Sequence, residues 1–166
     1  PEGPLYPGTC RGLTAPDLSH PHAWRLDLGK ALPRTGPLTW RDERAGLVEG
    51  RPDLLGDVVL ARKDAPVSYH LAVTVDDAAQ GVSLVVRGRD LFMSTHVHRL
   101  LQALLDLPTP RYHHHPLIVG PDGERLAKRH GALSLADLRA GGTDPAAILS
   151  AFRAGRAPLG FRLADA

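Results

Sequence analysis

Cationic side chains and glycines concentrate in the stretch Gly120-Pro-Asp-Gly-Glu-Arg-Leu-Ala-Lys128-Arg-His. Gly120 and Gly123 allow close backbone approach and positive φ, while Arg125, Lys128 and Arg129 gather charge within a short span. A compact ammonium such as that of Lys128 suits a phosphate, and phosphoryl chemistry needs such charge where negative oxygens collect. Spacing alone favours a solvated basic turn before a helix. Two other clusters invite chemistry. In His113-His114-His115 a strand would send neighbours to opposite faces, so at most His113 and His115 converge. With no cysteine nearby, the triplet reads as structural or ligand-packing rather than as a metal set. Asp76-Asp77 could hold Mg2+ or act as an acid–base pair, but neighbours on a strand diverge, which favours turn-forming and hydrogen-bonding roles.

These groups need elements to hold them. The chain through His22 is rich in Pro and Gly and reads as irregular, with capping-box spacing at Thr14 and Asp17. Trp24 to Leu28 alternates like a half-buried strand, Thr39 to Pro52 reads as connector, and Val58 to Ala61 as a short strand. Tyr69 to Val75 and Val82 to Arg87 are expected as strands, with Asp76-Asp77 and Gly81 turning between them. The period then changes: Val97, Leu100, Leu101, Leu104 and Leu105 form one helical stripe, capped by Ser94 or Thr95 and ended before Pro108. Leu117 to Val119 is a strand entering the glycine-containing loop. Ser134 and Asp137 make a capping box, and Asp144-Pro145 opens a helix carrying Ile148, Leu149 and Phe152. The mixture is α/β.

Four segments in order carry a resemblance. They are Gly56-Asp-Val-Val-Leu-Ala-Arg62, Tyr69-His-Leu-Ala-Val-Thr-Val-Asp-Asp77 and Val85-Val-Arg87-Gly-Arg-Asp90, then the run Tyr112-x-His114-x-Pro116-Leu117-Ile118 into Gly120-Pro-Asp-Gly123 and Arg125-Leu-Ala-Lys128-Arg. In sequence and spacing they resemble the glutamyl-tRNA synthetases, a class I aminoacyl-tRNA synthetase family whose KMSKS-type loop the last segment matches. The resemblance is densest from Gly56 to Ala132. It is nearest to the shortened glutamyl-queuosine tRNA(Asp) synthetase branch: Gln80-Gly81 follows the double Asp, Ala127 stands where the loop usually has Ser, and the chain stops soon after one helical pair.

The resemblance implies the C-terminal part of a Rossmann-like α/β class I catalytic domain, with no anticodon-binding domain. Residues 1–22 would be the remnant of a zinc-binding or connective insertion, 23–132 the second half of the catalytic domain, and 133–166 a C-terminal helical segment. The implied activity is ATP-dependent activation of L-glutamate, with Mg2+ accompanying ATP, and transfer to queuosine in the anticodon of tRNA(Asp). Lys128 matches the catalytic loop lysine that stabilises the ATP phosphates, with Arg125 and Ala127 beside it in the ATP site. Tyr69 matches a residue lining the glutamate pocket, and Arg87 the arginine that clamps a substrate carboxylate with its planar fork. From residue type alone, Tyr69 is more simply a strand aromatic and Arg87 a surface charge at a strand end.

Tyr6-x-x-x-Cys10 resembles the second half of a zinc site whose first half is a C-x-C element just upstream. Structural zinc takes four partners. Zn2+ is therefore expected in the intact protein and not in this chain. The family's HIGH-type signature is also absent from the sequence, so the 166-residue chain alone is expected to have little synthetase activity. Two other readings stay open: a fragment of an ordinary glutamyl-tRNA synthetase, and a non-catalytic remnant that binds RNA or nucleotide. A net charge of +2 and nine histidines say little about an anionic partner. No apolar run spans a bilayer and no signal segment opens the chain, so a cytoplasmic monomer with no membrane contact is expected.

Overall fold

The computed structural model describes residues 5–126 and 134–164. It divides into two compact units, Pro1–His114 and His115–Ala166. In the first, β1 (Trp24–Arg25) pairs antiparallel with β4 (Val59–Ala61). Between them Asp27 caps α1 (Leu28–Thr35), its carboxylate accepting the Lys30 N–H. The alternation from Trp24 to Leu28 therefore overran the strand: a carboxylate that satisfies a free first-turn N–H makes Leu28 the start of a helix.

The stretch expected as connector is a hairpin. β2 (Thr39–Asp42) runs antiparallel to β3 (Gly46–Glu49). Asp42 Oδ1 folds the turn by accepting the Arg44 and Ala45 N–H groups, both at 2.9 Å, and Gly46 supplies a φ of +77°. Charge concealed the alternation, because Trp40 and Asp42 are both buried while Thr39 and Arg41 face solvent.

Tyr69 to Val75 is likewise a correction. It forms the start of α2 (Tyr69–Ala79), capped by the Ser68 hydroxyl, which accepts the Leu71 N–H. A continuous apolar run does not distinguish a strand from a packed helix, and the serine cap decides. Asp76 and Asp77 consequently lie in the last helical turn, and the chain reverses at Gln80-Gly81, where Gly81 has φ +67°.

β5 (Leu84–Gly88) and α3 (Ser94–Leu104) follow as expected, with two differences. Met93, not Ser94 or Thr95, occupies the cap position of α3, and no side chain bonds there. Leu105 falls beyond the helix and is exposed. β6 (Arg111–His115) lies between β5 and β2, parallel to β2 with Asp42 opposite Tyr112, in a sheet of order β3-β2-β6-β5. The architecture is α/β, with helix α3 packed against α1 and α2.

The stripe on α3 builds the core from two sides. Leu100 packs with Leu28, Ala31 and Leu38, and Leu104 joins that cluster from its edge. Val97 and Leu101 pack with Val58, flanked by Leu26, Leu55 and Leu60. Burial of each such side chain contributes about 1.5–3 kcal/mol, so this helix is anchored where its polar face must act.

In the second unit β7 (Ile118–Val119) pairs antiparallel with β8 (Arg162–Leu163). α4 (Leu135–Ala140) opens with the Ser134–Asp137 capping box, and α5 (Pro145–Arg153) with Asp144 accepting the Ala146 N–H at 2.9 Å. Both starts were legible from spacing. Among the described residues, no helix is long and apolar enough to cross a membrane.

Candidate functional site

Arg87 is the fourth residue of β5 and is half-buried. Its Nε donates to His114 Nε2 at 3.1 Å and its Nη2 to Thr95 Oγ1 at 2.6 Å and to the Leu91 carbonyl at 3.3 Å. Nη1 lies 3.1 Å from His98 Nδ1. Guanidinium has five N–H groups and no acceptor, so each of these contacts is a donation from Arg87. Every partner is neutral, and among the described residues no carboxylate is bonded to the guanidinium.

This one-way donor fixes the imidazoles around it. His114 accepts at Nε2, so its ring proton is on Nδ1 and is donated to Asp42 Oδ2 at 2.7 Å. His98 accepts at Nδ1, so its proton is on Nε2 and is donated to His70 Nδ1 at 3.0 Å. Asp42, His114, Arg87, His98 and His70 thus form one continuous string from β2 to α2. Trp40 closes its inner side, meeting Phe92, His96, Tyr112 and His114 through edge-on ring contacts of 4.9–5.8 Å.

The electrostatics agree with these protonation states. Burial, the Arg87 charge and the neighbouring imidazoles push His98 down to about 3. Burial and Arg87 also hold His70 below the ordinary imidazole range. His114 is lowered by burial, against a partial opposing pull from its bond to Asp42. For Asp42 burial acts upward, but hydrogen bonds from Ala45, His114 and Arg44 outweigh it and keep the carboxyl below its usual range.

A depressed imidazole stabilises the fold fully above its unfolded pKa of 6.5 and loses that contribution as pH falls toward its folded value of about 3. Between pH 7 and pH 5 His98 alone should therefore cost about 2 kcal/mol of stability. Urea unfolding at the two pH values measures it, and H98N should flatten the difference. An unchanged slope would show that His98 titrates normally.

Tyr69, expected on a strand, is the first residue of α2 and is half exposed. With His70, Ser68, Arg25, Tyr6 and Ser94 it lines an open cleft of about 610 Å³. Arg87 and Tyr69 share no hydrogen bond or ring contact; His98 joins them, its ring 5.9 Å edge-on from that of Tyr69. Asp77 is raised by burial and by Asp76, with Arg87 opposing.

Of the loop, Arg125 is exposed and bridges Val119 across a hairpin. Ala127 and Lys128 lie outside the described residues. Gly123 has φ +85°, a left-handed conformation that favours glycine, and a Cβ on Gly120 would come within 2.5 Å of Asp122 Oδ1, so that a larger residue there would push the Asp122 carboxylate aside. Tyr6 and Cys10 are adjacent, the Cys10 N–H donating to Tyr6 Oη at 2.7 Å. Among the described residues no three of His, Cys, Asp and Glu converge to hold a metal ion.

His98, Thr95, His70 and Asp42 are site residues that the sequence reading missed. A signal was present. Thr95, His98 and Gln102 fall at i, i+3 and i+7, a polar stripe beside the apolar one on α3, and all three are buried. Of the histidine triplet, the middle member points inward with Tyr112, while His113 and His115 lie on the other face.

Residues 22–159 match the family of class I tRNA synthetases (E and Q), catalytic domain. The chain belongs to that family. This class I catalytic-domain chain is 48% identical over 155 residues to the glutamyl-Q tRNA(Asp) synthetase of Rhodobacter capsulatus, covering 89% of this chain and 56% of that protein. The corresponding protein of Symbiobacterium thermophilum is 46% identical over 150 residues, with coverages of 89% and 46%. Glutamate–tRNA ligase 2 of Alkalilimnicola ehrlichii is 39% identical over 149 residues, with coverages of 89% and 31%. The crystal structure of a glutamate tRNA ligase from Elizabethkingia meningosepticum, in complex with its amino acid, superimposes with a TM-score of 0.53 at 27% identity. That match covers 74% of this chain and 22% of the other. The chain spans about half the length of the glutamyl-Q tRNA(Asp) synthetases it matches, consistent with part of a class I catalytic domain.

Proposed function

We propose that these residues form the C-terminal part of the catalytic domain of a cytoplasmic ligase that activates L-glutamate with ATP and transfers it to queuosine of tRNA(Asp). The observation that carries the glutamate reading is Arg87, a half-buried cation bonded only to neutral groups. Its charge is left for an anionic ligand, and Tyr69 borders the adjacent cleft. The higher identity to glutamyl-Q tRNA(Asp) synthetases than to the glutamate–tRNA ligase favours queuosine over the tRNA 3′ end.

In this reading a glutamate carboxylate oxygen attacks the α-phosphorus of ATP, forming the adenylate as the bond to the leaving pyrophosphate breaks. The nucleophile belongs to the substrate and needs no deprotonation at neutral pH. The chain's contribution is placement and charge: Arg87 and Tyr69 on glutamate, and Lys128 with Arg125 and Ala127 on ATP, whose Mg2+ travels with it.

The full-length protein should catalyse glutamate-dependent exchange of pyrophosphate into ATP. It should also label queuosine-containing tRNA(Asp) with glutamate, and not the unmodified tRNA. Labelling of tRNA(Glu) would establish an ordinary glutamyl enzyme instead. RNA binding with no adenylate formed, surviving K128A, would establish a non-catalytic remnant. Lys128→Ala should lower kcat for exchange about ten- to a hundredfold with little change in the KM for glutamate. An unaffected kcat would remove Lys128 from the ATP site.

Tyr6 and Cys10 supply two donors, half of a tetrahedral zinc set, and the Cys10 N–H bond to Tyr6 Oη keeps them together. We assign them to a Zn2+ shared with a C-x-C element outside these residues. The full-length protein should contain zinc by atomic absorption and lose most of it on Cys10→Ser. Retained metal would place the ion elsewhere.

A further inference from the structure

His98 lies almost fully buried in the middle of α3, yet it touches both residues assigned to glutamate. Its Nδ1 accepts from Arg87 Nη1 at 3.1 Å, and its ring meets that of Tyr69 edge-on at 5.9 Å. On its far side Nε2–H donates to His70 Nδ1, and the His70 ring packs on Tyr69 with 5.7 Å between centroids. The groups facing His98 are therefore Arg87 from β5, Tyr69 and His70 from α2, with His114 of β6 reached through Arg87.

The guanidinium bonds determine what His98 controls. Nε–H goes to His114, and the two Nη2 hydrogens go to Thr95 Oγ1 and the Leu91 carbonyl. One Nη1 hydrogen goes to His98. Since the group is planar with five N–H bonds, only the second Nη1 hydrogen is uncommitted among the described residues. Its direction is set by the partner of the first.

We propose that His98 is a positioning residue for glutamate: by accepting one Nη1 hydrogen of Arg87 it aims the other at the substrate carboxylate, and by packing on Tyr69 and His70 it sets the aromatic wall of the same pocket. The inference rests on the reading of Arg87 and Tyr69 as glutamate ligands. Thr95 shares the task at Nη2, but among the described residues His98 alone meets both ligands through a hydrogen bond or ring contact.

Asparagine and glutamine separate this role from mere packing. In His98→Asn the amide oxygen stands near the place of Nδ1 and can still accept from Arg87. In His98→Gln the amide extends to the place of Nε2, keeps a donor toward His70 and withdraws the acceptor from Arg87. Both replacements are polar and fit a similar volume, so a purely structural site would respond to them alike. In pyrophosphate exchange by the full-length protein, H98Q should raise the KM for glutamate about tenfold with the KM for ATP unchanged, and H98N should stay within about threefold of wild type. Equal effects of the two variants on glutamate KM, or no effect of either, would overturn the proposal.

If wild-type exchange proves independent of glutamate, the glutamate reading fails by itself. Nitrogen-15 NMR of the His98 ring then decides the remaining link. A single Nε2–H tautomer at pH 7 that is lost in Arg87→Leu supports it, and a ring indifferent to Arg87→Leu overturns it.

Discussion

Replacing Arg87 by leucine in the full-length protein is expected to lower kcat/KM for glutamate about a hundred- to a thousandfold. Hydrogen bonds to charged groups contribute about 1.5–3 kcal/mol each, and the lost attraction between guanidinium and carboxylate adds to this. Among the described residues the guanidinium has no bonded carboxylate, so a substrate carboxylate would not have to displace one. The substitution also strands acceptors on His98, His114 and Thr95, so folding must be measured beside activity. Arg87→Lys keeps the charge but not the planar set of donors, and should fall between wild type and leucine. Pyrophosphate exchange titrated with glutamate checks the series; a leucine variant with unchanged kcat/KM would remove Arg87 from the substrate site. With its nearest cation gone, His98 should also titrate at higher pH, because the Arg87 charge is the second cause of its depression after burial.

Asp42→Ala is expected to destabilise the first unit by about 3–5 kcal/mol, the cost of leaving buried donors without their charged acceptor. Asp42 is 2% exposed and receives four N–H groups: those of Arg44 and Ala45 at Oδ1, and the backbone and Nδ1 of His114 at Oδ2. Alanine removes all four bonds at once. Asparagine restores an oxygen for the turn but turns an amide toward His114, and about half the loss should remain. Urea unfolding at pH 7 measures both variants. A loss below about 1 kcal/mol for alanine would show that water takes over the carboxylate's role. The folded carboxyl is lowered, so its stabilisation is present above the unfolded value of 3.8 and is lost as pH falls below it. That window opens below the unfolded value of 6.5 at which His98 begins to titrate.

Much of the frame was legible where a side chain acts on its own backbone. The capping residues Ser134 and Asp144 announced α4 and α5, and the stripe from Val97 to Leu104 announced α3. The errors arose where one pattern serves two structures. Tyr69 to Val75 is mostly apolar, as a strand or a packed helix can be, and the Ser68 hydroxyl caps it as a helix. Thr39 to Glu49 is charged because its outer face is wet, which hid the inner pair Trp40 and Asp42. Arg87 was found through a family resemblance, since one arginine at a strand end carries no local signal. Its supports come from β2, α2, α3 and β6, elements far apart along the chain, and no periodicity reports such partners.

The string from Asp42 to His70 looks able to pass a proton from one end to the other, and Arg87 at its centre forbids it. Stepwise hopping needs every member to take a proton on one side and release one on the other, as water or imidazole does. A guanidinium surrounded by acceptors can only give, since it has five N–H donors and no acceptor. Hydrogen bonds therefore point outward from Arg87 in both directions, toward Asp42 on one side and His70 on the other. The arginine acts as an insulator in the middle of a polar wire. The charge on Asp42 is isolated from the cleft beside Tyr69, and the positive field at Arg87 stays constant while the cleft exchanges protons with solvent. A reaction whose nucleophile arrives already deprotonated can use such a fixed field and has no need of conduction.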